Sequence, residues 1–206
     1  MAAASSHAVE VYWLPLGAGG HSVRLNGRIF EAVVARLEKR PPSDLYHSAL
    51  IVRTPECHFV IEMAPVSDGE GVLRGVVAEG PVGSRWARSV RIFRYENRRW
   101  RRGVIPDVDE AVESPQVLTK DPVVAKRILD LVFEAPTPVW GRDEFRAGEM
   151  WNSNSLISWL ITCSGLDVQA VHPPAGGRAP GWGAGVVVAH RDLTPSLAPD
   201  LVAQTI

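Results

Sequence analysis

The chain has 206 residues, 46% apolar and 22% charged, an ordinary globular composition with enough length for one sizeable core. Its 22 Lys and Arg nearly balance 23 Asp and Glu, for a formal charge of −1, which argues against attachment to nucleic acid or anionic lipid by bulk charge. Two cysteines, Cys57 and Cys163, exclude a disulfide framework and a four-cysteine zinc site and point to a reducing compartment.

The start, MAAASSHAVEVYWLPLGAGG, has no basic segment followed by an apolar signal core, and no run approaches about 18 uninterrupted apolar residues. A cytoplasmic protein without a membrane span is therefore expected. Residues 8–16 read as a strand that Pro15 and a glycine turn bring to an end. The turn has neither Walker nor GxGxxG spacing, so a plain turn is favoured over a phosphate cradle. Asn26 suits the N-cap of a helix over 27–39, with Ile29, Val33, Val34 and Leu37 at helical spacing and Pro41-Pro42 behind it.

Two strands, 45–53 and 58–64, flank the turn Thr54-Pro55-Glu56-Cys57. A four-residue loop pairs Arg53 with His58 and Ala49 with Glu62, which puts His47 and Glu62 on the same face of the sheet. Residues 67–85 alternate glycine with short apolar runs, and 88–96 read as a strand with Val90, Ile92 and Arg94 on one side, after which NRRWRRGVIPD leaves the sheet. Asp121-Pro122 opens a helix to about 133, closed by Pro136 and Pro138. A further helix, 154–163, carries Leu156, Ile157, Leu160 and Ile161, with Ser153 or Asn154 as cap and Gly165 at its C′ position. The segment 173–185 is too rich in Gly and Pro to be regular, VVVAH (186–190) reads as a strand, and 191–206 as a tail. A single α+β domain spanning 1–206, a central antiparallel sheet packed against helices, is the economical reading.

Nucleophilic hydrolysis needs a hydroxyl at a helix N-terminus, a histidine on an adjacent strand to take its proton, and a carboxylate to hold the imidazole. Ser153, His47 and Glu62 fit these roles, with the backbone N–H of Ser153 or Asn154 as oxyanion donor. His47 in YHSALIV, Glu62 in FVIEMAP and Asn152-Ser153-Asn154-Ser155 at a helix start resemble the circularly permuted branch of the papain-like fold. That branch includes lecithin:retinol acyltransferase-like proteins and PPPDE-type isopeptidases. The likeness covers about a fifth of the chain. It implies a papain-like fold in permuted order and acyl transfer or hydrolysis of an amide, ester or thioester; separately, the six scattered histidines with no HExxH spacing argue against a metal, and no cofactor is expected. The substrate, whether small molecule, lipid or peptide, stays open. It also makes His58 an alternative third member, because some such relatives carry a second histidine there. Two departures stand out: Ser153 replaces the family's cysteine, and Leu156-Ile157 replace an aromatic. A serine needs its base during attack, whereas a thiol is partly ionised beforehand, so a binding module that lost the nucleophile is the competing class. The stretches around Trp140-Gly141-Arg142-Asp143 and Arg178–Trp182 also resemble a family of bacterial proteins.

Each residue has a plainer reading as well. Ser153 suits a helix cap, His47 a hydrogen-bonded core histidine, and Glu62 a carboxylate that must be paired within its apolar run. Cys163 near a helix C-terminus and Cys57 on another face make poor nucleophiles. Trp140, Arg142, Trp151, Arg178 and Trp182, together with Asn152 and Asn154, are expected either to wall a cleft at Ser153 or to fill the core. Arg98-Arg99-Trp100-Arg101-Arg102 is the one stretch like a nucleic-acid surface, against a solvated loop paired with downstream acids; the near-zero net charge favours the loop, so no nucleic-acid partner is expected.

Overall fold

The computed structural model describes residues 7–16, 43–66 and 74–194. It is an α+β fold in which six strands form one antiparallel sheet with the order β4-β5-β3-β2-β1-β6. The strands are β1 (Ala8–Pro15), β2 (Tyr46–Arg53), β3 (His58–Pro65), β4 (Val76–Pro81), β5 (Arg94–Arg101) and β6 (Gln116–Thr119). The helices among the described residues are α1 (Pro122–Leu131), α2 (Ser153–Cys163) and α3 (Trp182–Leu193). The helix expected over 27–39 and the glycine turn after Leu16 lie outside the described residues.

Period-two alternation divides the sheet into two faces. Val9, Val11 and Trp13 of β1, Leu50 and Val52 of β2, and Ile61 and Met63 of β3 pack against the helices in the main core. Tyr12, Leu14, Ala49, Ile51 and Val60 point the other way and form a smaller cluster with Ile105. Every residue of α2 is buried, because the helix lies between the sheet and α3. A helix buried all round has no solvent to satisfy its polar side chains, so these must bond inward. Accordingly Thr162 Oγ1 donates to the Ser158 carbonyl at 2.8 Å and Ser158 Oγ to the Trp182 carbonyl at 2.7 Å.

The helix ends follow from their sequences. Asp121 Oδ1 accepts the Val123 N–H at 2.7 Å, and Pro122 follows it at the first position of α1. Gly165 at φ 87° closes α2: its N–H bonds the Thr162 carbonyl and the Leu166 N–H the Ile161 carbonyl, a left-handed glycine stop. The cap of α2 is Asn152 rather than Ser153 or Asn154.

Two expectations are corrected. Residues 85–93 form short 3-10 turns, and the strand begins at Arg94 and runs through Asn97, Arg98 and Trp100 to Arg101. These polar residues belong in a strand because the charges facing inward are paired there. Residues 186–190 belong to α3, not to a strand. Burial at Ala184, Gly185, Val188 and Ala189 has helical spacing, and Gly185 lies against the Ser155 carbonyl, where a Cβ would collide, so packing overrides the β preference of three valines. The strands β4 and β6, to which the sequence reading assigned no element, close the two edges.

Candidate functional site

The candidate site lies where two strands part. β2 and β3 pair from Arg53↔His58 to Leu50↔Ile61, and there the ladder ends. Beyond it β2 continues along β1 to Tyr46, while β3 continues along β5 to Pro65. The freed edge of β2 is taken up by other segments. The Tyr46 N–H donates to the Arg178 carbonyl at 2.8 Å, and the Tyr46 carbonyl accepts Asn154 Nδ2 at 3.0 Å. The start of α2 therefore sits at the parting, and the segment 178–182 lies alongside it.

The four residues Asn152–Ser155 are almost fully engaged. Asn152 Oδ1 accepts the N–H groups of Asn154 at 2.9 Å and Ser155 at 3.3 Å, while Ser155 Oγ accepts the Asn152 N–H at 3.0 Å, a reciprocal capping arrangement. The other end of the Asn152 amide donates to the Pro180 carbonyl at 2.8 Å. Asn154 spans sheet and loop: its Oδ1 accepts Ser48 Oγ at 2.9 Å, and its Nδ2 also donates to the Pro180 carbonyl at 2.9 Å. Ser155 Oγ donates to the Gly181 carbonyl at 2.7 Å. Asn154 thus has no spare N–H for an oxyanion. Ser153 differs from its neighbours. It is 7% exposed, and among the described residues neither its hydroxyl nor its N–H enters a hydrogen bond.

His47 and Glu62 share a face, as the hairpin register requires, but it is the face turned away from α2. His47 pairs with Leu14 and so faces the Ile105 side of the sheet, whereas Ser48 is the residue that points to the helix. Burial holds the imidazole well below its usual value, at about 4, and the Asp107 carboxylate acts weakly in the opposite direction. At neutral pH the ring is uncharged. Among the described residues no hydrogen bond joins Ser153, His47 and Glu62, so the expected catalytic trio is not assembled.

Glu62 has another partner. Arg98 Nη1 donates to Glu62 Oε1 at 3.0 Å, while its Nε and Nη2 lie 2.8 Å and 2.7 Å from Glu96 Oε2. All three side chains are buried, and the Pro65 carbonyl accepts Arg98 Nη2 at 3.3 Å. Carboxylates this deeply buried need a forked cation beside them. His58, the alternative third member, has its Nε2 2.9 Å from the Gly103 carbonyl and closes the hairpin end.

The expected wall residues are mostly packing partners. Trp151 is buried edge-on against Phe145 at 5.5 Å, Trp140 against Tyr95 at 5.6 Å, and Trp182 lies 5.1 Å from Trp13. Arg142 Nε donates to the Gly83 carbonyl, and the backbone of Arg178 is bonded to Asp44 and Tyr46. The 178–182 segment docks beside the start of α2, as a cleft would require, but its rings fill the core rather than line an opening.

The arginine run makes no continuous basic surface. Arg98 points into the ion cluster, while Arg99 points to the helix face, where it stacks over Phe133 at 4.3 Å and donates to the Leu129 carbonyl. Arg101 lies at the hairpin turn with Nε 3.4 Å from Cys57 Sγ. Cys163 is buried, which pushes its thiol up to about 11. Sequence reading missed Ser48 and the approach of Asp107 to His47, and it set Arg98 in a basic run rather than beside Glu62. The available signal was the alternation of Glu96 and Arg98 opposite an inward Glu62. Among the described residues, no group of three or more His, Cys, Asp or Glu is placed to hold a metal ion, and no helix is long and apolar enough to cross a membrane. Comparison with protein-family models, curated proteins and solved structures finds no match to this chain.

Proposed function

We propose that this chain is a non-catalytic binding module on a permuted papain-like scaffold, in which the nucleophile helix has become a structural connector. The carrying observation is the commitment of the helix start to internal bonds: Asn152, Asn154 and Ser155 tie the sheet, α2 and the 178–182 segment together. Glu62 is likewise committed to Arg98, and His47 faces away from the helix. A general base must come within about 3 Å of the proton it removes, and none of the described side chains does so at Ser153. The ligand class that the resemblance implies is a small molecule, lipid or peptide.

One observation favours a second reading, a serine-dependent amide, ester or acyl-transfer hydrolase. The hydroxyl and N–H of Ser153 stand at the positive end of α2 without partners among the described residues, as a nucleophile and its oxyanion donor would. A fluorophosphonate probe separates the two readings. No labelling of the native chain at neutral pH is expected for the binding module. Labelling that disappears in both Ser153→Ala and His47→Ala would establish the hydrolase.

A further inference from the structure

Residues 140–145, which do not wall the start of α2, help to build a concave site of their own. A cleft of about 440 Å³ is lined by Pro81 at the end of β4, Arg85, Thr137 and Pro138 after α1, and Glu144 and Phe145. Its volume lies within the range of small-molecule sites, and hydrogen bonds fix its walls. The Trp140 N–H donates to the Pro81 carbonyl at 2.9 Å, and the Trp140 carbonyl accepts the Gly83 N–H at 3.1 Å, so the two sides of the cleft move as one piece. Tyr95 Oη donates to the Pro138 carbonyl at 2.8 Å and Arg191 Nη1 to the Phe145 carbonyl at 2.6 Å. A ligand therefore meets walls that need little ordering on binding.

Charge selects the ligand. Arg85 Nε donates to Glu144 Oε1 at 2.7 Å, and the Val139 N–H donates to Glu144 Oε2 at 2.8 Å. The bond from Arg85 holds the Glu144 carboxyl below the usual carboxylate range, with the Val139 N–H and the nearby Arg142 charge adding to it, so Glu144 is ionised at neutral pH. Both groups keep capacity to spare. Arg85 is 77% exposed along its side chain, and among the described residues its Nη1 and Nη2 enter no hydrogen bond. Each Glu144 oxygen accepts a single bond there, although a carboxylate oxygen can take two.

The cleft thus offers a cation and an anion side by side. A multiply charged anion such as phosphate is repelled by Glu144, and a lone carboxylate leaves Glu144 unanswered. An α-amino acid answers both, because its carboxylate and ammonium stand on one carbon, whereas in a peptide the whole chain separates them. Pro81, Pro138 and Phe145 give an apolar side chain a surface to cover. We propose that this cleft binds a free α-amino acid with an apolar side chain, its carboxylate on the Nη edge of Arg85 and its ammonium on Glu144. The site shares no residue with 152–155 and stands whether or not Ser153 is a nucleophile.

Titration of the full chain with L-phenylalanine and with L-leucine, followed by amide NMR, tests this. Saturable shifts are expected for at least one of them, with the Val139 amide among those that move because its bond to Glu144 reports on that carboxylate. Phenylpropionate and phenethylamine, each lacking one of the two charges, should bind at least about tenfold more weakly than L-phenylalanine. Arg85→Gln is expected to weaken amino-acid binding by about tenfold or more. Since the Arg85 side chain stands mostly in solvent, that variant keeps its fold, which unchanged shifts away from the cleft check. Glu144→Gln retains an acceptor for the Val139 N–H and should weaken amino-acid binding while leaving phenylpropionate as before or tighter. No saturation by either amino acid up to about 10 mM overturns the proposal. Equal binding by native chain and Arg85→Gln, or tighter binding of inorganic phosphate than of both amino acids, does the same.

Discussion

The two faces of the sheet solve the problem of buried polarity in opposite ways. Toward the helices, the fully buried polar groups at the start of α2 are neutral and short: Ser48, Asn154, Ser155 and Ser158 bond to backbone carbonyls or to each other. On the other face they are charged: Arg98 lies buried between Glu62 and Glu96, and the buried Glu10 carboxylate pairs with the half-exposed Arg53 at 3.0 Å. Neutral bonds position elements at low electrostatic cost, whereas buried ions hold only while every partner is present. The motif that looks most like chemistry therefore lies on the face that does the joining, while the ionisable side chains lie behind it.

This contrast is sharpest at Arg98. Arg98→Met leaves two buried carboxylates without a cation and is expected to destabilise the fold by about 3–5 kcal/mol. Urea unfolding measures it, and a loss below about 1 kcal/mol would mean that the second face is wetter than its burial indicates.

Acid should also act on that face. The folded imidazole of His47 titrates near 4 against an ordinary value of 6.5, so between these values the unfolded chain takes up a proton that the folded chain does not. Stability from this group is complete above 6.5, falls as pH drops toward 4, and changes no further below that; the loss is at most on the order of 3 kcal/mol. Unfolding curves across that range should flatten in His47→Gln, and an unchanged slope would assign the acid sensitivity to other groups. On the helix side, Asn154→Ala removes bonds to Ser48, Tyr46 and Pro180 and is expected to cost about 1–3 kcal/mol. Faster hydrogen exchange in 178–182 should accompany it, whereas in Arg98→Met that segment should be spared.

Much of the scaffold is legible in the chain because it rests on local chemistry. The turn Thr54–Cys57 sets Arg53 opposite His58, and Asp121-Pro122 and Gly165 mark helix ends, as observed. The expected pairing of Ala49 with Glu62 does not form, because the ladder has already ended at Leu50↔Ile61. Parity correctly groups His47 with Glu62, but alternation alone carries no information about which face a helix more than 100 residues away along the sequence will choose. The same limit hides β5: Arg98 reads as solvated until Glu62 and Glu96 are placed around it. In α3 the three valines suggest a strand, and only the close approach of Gly185 to α2 shows why a helix forms.

The bond from Ser48 to Asn154 joins residues 106 apart, and this has a consequence for biosynthesis. At about 5–20 residues per second, the edge of β2 emerges roughly 5–20 s before the helix that completes it. Loop closure over such a distance comes late in folding, so during translation the open backbone of Tyr46 is a template for any other nascent strand nearby.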